Sequence, residues 1–170
     1  MAGLTTGKGS ITFGDVSLDE WPAAKLAQYR AYLAQQQNPP FAMPVWHFLT
    51  LHQPDKARTD LLQEVADALG LGDKLGRGVN QLSGGEWQRI AMARLYYQDA
   101  ELKILDEPTA AIDPVREQQI YQKFLKLYQD TTPIMITHRL GATSLCDWII
   151  AIEDGKAMEQ GSHEDLMTKN

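Results

Sequence analysis

The stretch Ser83-Gly84-Gly85-Glu86 has the residue types of a helix start that binds phosphate. Ser83 is a helix N-cap candidate, and Glu86 follows three residues later, which is the spacing of a capping box. Glycine within a helix costs about 1 kcal/mol relative to alanine, so Gly84 and Gly85 indicate that another group approaches the backbone closely. A hydroxyl, accessible amides and the positive end of the helix dipole together favour a phosphate ligand.

A second set of polar residues follows predicted strands. The apolar run 102–105 stops at Asp106 and Glu107, and the run 133–137 stops at His138. In open α/β sheets, ligands bind at the carboxyl ends of the strands. The sequence therefore predicts that these three side chains lie at one edge of a sheet.

The elements that position these residues are predicted from hydrophobic periodicity. Strands are expected at 10–13, 30–34, 102–105 and 133–137, and a hairpin around Gly155. Helices are expected at 45–52, at 61–69, from Ser83 onward and at 114–128. The strand–helix–strand order of the second half favours a parallel α/β sheet. The helices between residues 38 and 97 predict an all-helical subdomain, entered through a proline-rich segment.

Three side chains test this picture. Lys103 interrupts a strand that should be nearly continuously apolar, so either its head reaches solvent at the strand start or the sheet is weakened there. Trp46 and Trp87 are both expected in the core of the helical subdomain.

Composition excludes several classes of function. The chain has 170 residues, a net charge of −6 and one cysteine. The negative charge argues against a general nucleic-acid partner, and one cysteine cannot form an internal disulfide. No run approaches the roughly 20 apolar residues that cross a bilayer. We therefore expect a cytoplasmic protein without direct membrane insertion.

Residues 82–86 together with Gln88-Arg89 resemble the signature motif of the ATP-binding-cassette (ABC) ATPases, and Asp106-Glu107 resembles the Walker B motif of that family. The resemblance implies an α/β fold: an incomplete, RecA-like P-loop NTPase parallel sheet with an inserted all-helical subdomain. It also implies ATP and Mg²⁺ as cofactors. The implied partners are a second cassette, in a homo- or heterodimer, and a transmembrane transporter subunit that holds the chain at the inner face of the membrane.

The same resemblance implies roles for single residues. Asp106 would hold Mg²⁺ through water, Glu107 would polarise the attacking water, and His138 would be the switch histidine at the γ-phosphate. Gln35 matches the Q-loop glutamine that senses Mg²⁺, although Gln36 and Gln37 leave that assignment open by one or two residues.

Two further roles concern the contact between cassettes. Ser83, Gly84 and Gly85 would face the nucleotide of the opposite cassette. Asp113 would lie in the D-loop, which communicates between the two subunits.

The resemblance is uneven along the chain. Residues 1–89 resemble the ATPase subunit of the bacterial cobalamin importer, and residues 90–170 resemble an exporter-type nucleotide-binding domain, which leaves a fusion or chimera and either transport direction open. The expected domains are a core remnant at 1–37 ending in the Q-loop, the helical subdomain at 38–97, and the rest of the core at 98–170.

The phosphate loop is the main departure from the family pattern. Gly3 and Gly7 are four residues apart where that loop needs five, and Gly9 stands at the position of its hydroxyl residue. An absent Walker A segment predicts negligible ATPase activity for the isolated chain. The alternatives are a degenerate cassette that donates its signature to an intact partner, or a truncated fragment without function.

Overall fold

The computed structural model describes residues 9–35, 42–51, 59–110, 112, 119–123 and 131–168. Asp113, Gln36, Gln37 and most of the helix predicted at 114–128 lie outside these ranges. Within them the chain is a mixed α/β structure with a parallel sheet, as the sequence predicts.

The elements follow one another in an order that matches most of the predicted pattern. They are β1 (Thr12–Phe13), β2 (Val16–Ser17), α1 (Ala23–Tyr29), β3 (Arg30–Leu33), α2 (Val45–Thr50), α3 (Thr59–Ala68), α4 (Gly84–Tyr97), β4 (Leu102–Asp106), α5 (119–123), β5 (Thr132–Ile136), β6 (Ile149–Glu153), β7 (Lys156–Gly161) and α6 (His163–Thr168). Short 3-10 turns join several of them.

The central sheet consists of β3, β4 and β5 in that order, all parallel. Leu33 pairs with Leu105, and Leu105 pairs with Met135. Because the three strands run in the same direction, the residues that follow them emerge at one edge of the sheet. Parallel strands bury both faces and are therefore rich in aliphatic residues, as the buried Ala31, Leu33, Ile104 and Leu105 illustrate.

Helix α4 is the centre of the hydrophobic core. It packs against α2, α3 and β3, and it buries Ile90, Met92 and Leu95 almost completely. Phe48 of α2 and the aliphatic side chains of α3 belong to the same cluster as the strand residues. Each large apolar side chain buried in this way contributes about 1.5–3 kcal/mol relative to its exposed state, so α4 and the sheet are held as one unit.

Helix α3 ends where its sequence predicts. Gly70 has a φ of 66°, a left-handed conformation that glycine adopts without steric cost. The Leu71 amide then donates to the Ala66 carbonyl across this turn. Leu71 is fully buried, so the turn returns the chain directly to the core.

One of the two alternatives for Lys103, a head that reaches solvent, is wrong, and so is the prediction that Trp46 lies in the core. Lys103 is only 3% exposed, and its head does not reach solvent: Nζ donates to the carbonyl oxygens of Leu95, Tyr96 and Gln98 at 2.9–3.1 Å. These are carbonyls at the end of α4, which lack partners within the helix. Lys103, which interrupts the apolar run of β4, therefore caps the C-terminus of α4.

Trp46 is 48% exposed and stacks on His47 instead of filling the core. Its position follows from the short helix α2, which turns Val45, Phe48 and Leu49 inward and leaves Trp46 and His47 on the other side. Trp87 is packed against the core, with its ring 4.9 Å from that of Phe48, as predicted.

The β6–β7 hairpin differs from the central sheet in its exposure. Side chains from both of its faces reach solvent, including Ile150, Ile152 and Met158. Helix α6 packs on β7. In the described part of the chain, no helix has the length and apolar character needed to span a bilayer.

The buried Lys103 makes stability depend on pH. Burial lowers the pKa of Lys103 from 10.5 to about 8. Between these values the unfolded chain binds more protons than the folded one, so the free energy of unfolding should rise as pH increases from about 8 to about 10.5. We expect this rise in the parent protein and its loss in Lys103→Met, measured by urea denaturation across that pH range.

Lys156→Met, at an exposed position of β7, is the matched control for this measurement. The stability difference between the parent protein and Lys103→Met should change with pH more than the corresponding difference for Lys156→Met. Equal pH dependence in the two variants would contradict the assignment.

Candidate functional site

The start of α4 is a complete capping box. The Ser83 hydroxyl accepts from the Glu86 amide at 3.3 Å and donates to Glu86 Oε2 at 2.8 Å, and the Ser83 amide donates to the same carboxylate at 2.9 Å. Gly84 and Gly85 form the first turn of this 14-residue helix. Gly84 is exposed and Gly85 is half-buried, and neither carries a side chain that would cover the backbone at the helix start.

The charge at this helix start is set by Glu86 and Lys74. Hydrogen bonds from the Ser83 amide and hydroxyl hold the pKa of Glu86 below its ordinary value. Lys74 Nζ lies 3.7 Å from Glu86 Oε1 and 2.8 Å from Asp73 Oδ2. A carboxylate in the first turn also interacts favourably with the helix dipole.

Asp106 ends β4 and contacts the neighbouring strand. The Tyr32 hydroxyl on β3 donates to Asp106 Oδ2 at 3.3 Å. Burial raises the pKa of Tyr32, and the charge of Asp106 raises it further. No sequence motif indicates Tyr32, because its contact with Asp106 depends on the pairing of β3 with β4, in which Tyr32 lies opposite Ile104.

Glu107 and His138 contact each other directly. His138 Nδ1 lies 2.6 Å from Glu107 Oε1, with the Glu107 side chain largely buried and the His138 ring mostly exposed. A carboxylate can only accept hydrogen bonds, so an ionised Glu107 makes Nδ1 the donor and leaves Nε2 on the far side of the ring. The predicted pair is therefore brought together at the carboxyl edge of the sheet.

Two side chains outside the predicted set hold the loop after β4. Gln88 of α4 donates from Nε2 to the Glu107 carbonyl at 2.9 Å. Arg139, next to His138, donates to the carbonyls of Ala110 and Ile112 at 3.3–3.4 Å. Arg139 directly follows His138, and Gln88 lies three residues after Gly85, yet neither their type nor their spacing indicates these contacts.

The structure says little about two of the predicted site residues, Gln35 and Asp113. Gln35 lies two residues beyond β3, is exposed, and emerges at the same edge as Asp106 because β3 and β4 are parallel. Asp113 lies outside the described residues. In the described ranges, no three His, Cys, Asp or Glu side chains converge as they would in a closed metal site.

Comparison with known proteins identifies related sequences along the chain. The family described as "ABC transporter" matches residues 1–110. The vitamin B12 import ATP-binding protein BtuD of Citrobacter koseri is 49% identical over 179 aligned residues, which cover 99% of this chain and 71% of that protein. The protein of the same name from Salmonella typhimurium is 52% identical with the same coverage.

A solved structure is similar in fold. A bacterial Atm1-family ABC exporter with ATP bound matches with a TM-score of 0.79 at 25% identity. The match covers 90% of this chain, and the chain spans 28% of that exporter chain. Importer ATPases and an exporter thus both align over nearly the whole chain, and neither comparison places a boundary near residue 89.

The capping box predicts a loss of stability in Ser83→Ala. The substitution removes both the acceptor for the Glu86 amide and the donor to the Glu86 carboxylate, and an N-cap change of this kind costs about 1 kcal/mol. Urea denaturation measures the loss. Ser10→Ala, at an exposed position before β1, is the control, and equal losses at the two positions would contradict the role of Ser83 as a cap.

The backbone of Glu107 predicts an unusual order of stability. Its φ of 50° is left-handed, a conformation that costs a residue with a side chain about 1–2 kcal/mol. Glu107→Ala and Glu107→Gly both lose the contact with His138, but only glycine removes the backbone cost. We therefore expect Glu107→Gly to be the more stable of the two by up to about 1 kcal/mol.

Glu101 provides the comparison for this order, because it is exposed and its φ is not positive. At that position the alanine variant should be at least as stable as the glycine variant. Thermal denaturation measures both orders. If the alanine variant is at least as stable as the glycine variant at position 107 as well, the left-handed backbone of Glu107 carries no cost.

Proposed function

Because this chain belongs to the ABC transporter family, we propose that it binds ATP as the ATPase subunit of a membrane transporter and couples ATP hydrolysis to transport. The observation that carries the proposal is the 2.6 Å contact between Glu107 and His138 beside Asp106 at the carboxyl edge of the sheet. Vitamin B12 is the proposed cargo, since the relatives named for its import are about half identical to the chain.

The donor chemistry of the site fits Mg²⁺ and a nucleotide. Mg²⁺ in such sites is held by one or two carboxylates together with phosphate oxygens and waters. Asp106 supplies a carboxylate at the strand end, and the exposed Gln35 supplies an amide oxygen at the same edge. The bound metal would neutralise charge on the phosphates, and these two residues would hold it.

Glu107 and His138 are proposed as the residues that act on the reacting groups. Glu107 would accept a proton from the attacking water, a role that requires a positioned carboxylate. His138 orients that carboxylate through Nδ1, and its exposed ring is the group proposed to contact the terminal phosphate. Asp113 is proposed to communicate between two cassettes.

The start of α4 is proposed as the second phosphate site. The backbone amides of Gly84 and Gly85 and the hydroxyl of Ser83 lie at the positive end of a 14-residue helix, which is the usual setting for a bound phosphate. In this proposal they contact a nucleotide held mainly by a second cassette, so the ATP-binding unit is a homo- or heterodimer. A transmembrane subunit would hold the assembly at the cytoplasmic face of the membrane.

A narrower form of the proposal concerns the isolated chain. We propose that ATP turnover requires a second, complete cassette, because Ser83, Gly84 and Gly85 would contact a nucleotide that this second cassette holds. In the same proposal residues 1–37 and 98–170 form the ATPase core, and residues 38–97 form a helical subdomain that carries Ser83.

Equilibrium binding of a fluorescent ATP analogue with Mg²⁺ tests the function. The full chain is titrated alone and together with a complete cassette, and we expect the mixture to bind more analogue than the cassette alone. Ser83→Arg places a bulky side chain at the phosphate and should abolish this gain. Ser10→Arg adds the same charge at an exposed position before β1 and should retain it.

Two outcomes would count against the proposal. No gain in binding from a chain that melts cooperatively would mean that the site residues do not form a working nucleotide half-site. An equal gain with the parent chain and with Ser83→Arg would place the nucleotide elsewhere.

A further inference from the structure

Gln88 is part of the signature-like stretch but lies too far along α4 to contact a phosphate at the helix start. It follows Ser83 by five residues, which is about 7.5 Å along a helix axis. Its side chain is half-buried, and its Nε2 donates to the Glu107 carbonyl at 2.9 Å. The residue therefore connects the helix that begins at Ser83 with the loop that carries Glu107.

The contact falls on a backbone segment that needs external support. Glu107 has a φ of 50°, and a strained conformation persists only when its surroundings hold it. The Glu107 amide donates to Ile136 of β5 at 2.9 Å, and its carbonyl accepts from Ala110 at 3.2 Å as well as from Gln88. Of these three bonds, the one from Gln88 comes from the helix that carries Ser83.

The backbone conformation of Glu107 also determines where its carboxylate points. The same residue contacts His138 Nδ1 through Oε1, and a change of φ would move the side chain away from the ring. The Gln88 bond is 2.9 Å long, so a shift of α4 away from the loop by about 1 Å would lengthen it beyond hydrogen-bond distance. The orientation of the carboxylate thus depends on the position of α4.

We propose that Gln88 is a positioning residue that couples the start of α4 to the Glu107–His138 pair. A ligand that fixes the start of α4 fixes Gln88, because the helix between them is continuous and packed into the core. Gln88 then holds Glu107 in the left-handed conformation that aims its carboxylate at His138. The catalytic meaning of this coupling rests on the proposed function, but the coupling itself does not.

Amide hydrogen exchange of the full chain without nucleotide tests the coupling. Gln88→Met keeps the length of the side chain and removes the donor. We expect the Glu107 amide to exchange about tenfold faster in this variant, the effect of losing one hydrogen bond, while the amides of Ile104 and Leu105 in β4 keep their rates. The HN–Hα coupling of Glu107, which reports φ, should change as well.

Gln98→Met is the matched control, because Gln98 is the C-cap of the same helix and contributes its carbonyl to the Lys103 contact. It should leave the Glu107 amide at its parent rate. An unchanged Glu107 rate in Gln88→Met, or equal acceleration of all β4 amides, would overturn the proposal. If Gln88→Met does not fold, Gln88→Glu, which removes both amide protons and keeps the shape, carries the same expectation.

A second readout separates the coupling from the proposed function. In the mixture with a complete cassette, Gln88→Met should bind the ATP analogue with a Kd within about twofold of the parent chain, because Ser83–Gly85 are unchanged. The ATP turnover that the chain adds to that of the complete cassette alone should fall about tenfold, which is one hydrogen bond in free energy. Turnover equal to that of the parent mixture would overturn the coupling. Failure of the parent chain to bind would overturn the function and leave the exchange result standing.

Discussion

The parallel pairing of β3, β4 and β5 is the constraint on which the candidate site depends. One register, with Leu33 opposite Leu105 and Leu105 opposite Met135, brings residues about 70 and 30 positions apart in sequence to a single edge. Moving one strand by one residue would exchange its side chains between the two faces of the sheet. The hydrophobic side chains of the sheet and of α4 fix the register, and the polar residues that follow the strands are positioned as a consequence.

The sequence predicts the elements of this arrangement better than their contacts. The apolar run before Asp106 and the Ser83–Glu86 spacing depend on local chemistry, and both the strand and the capping box are present. Lys103 could not be predicted in the same way, because its partners are the terminal carbonyls of α4, which only tertiary packing brings within 3.1 Å. Composition rules treat a lysine in a strand as a surface residue and contain no information about helix-terminal carbonyls nearby.

The contacts around Glu107 show the same limit in the candidate site. Glu107 and His138 each follow a strand of a parallel sheet, so the sequence predicts that they lie at the same edge. It does not predict their direct contact. The left-handed φ of Glu107 and the donors from Gln88 and Arg139 do not follow from any spacing, since each depends on how a helix or loop lies over the edge of the sheet. The prediction that Trp46 is buried was wrong for a related reason. An aromatic residue has a strong preference for burial, but the six residues of α2 have a single inward face, and Trp46 does not lie on it.

The exposure of the β6–β7 hairpin implies an uneven distribution of stability along the chain. A two-stranded hairpin with solvent on both faces is marginally stable by itself, and its aliphatic side chains contribute little when they remain in water. Opening events of low free energy should therefore begin in the hairpin and α6, whereas α4 and β4 should open only when the whole molecule unfolds. Limited proteolysis under native conditions would then release the last 20 or so residues before it cuts the core.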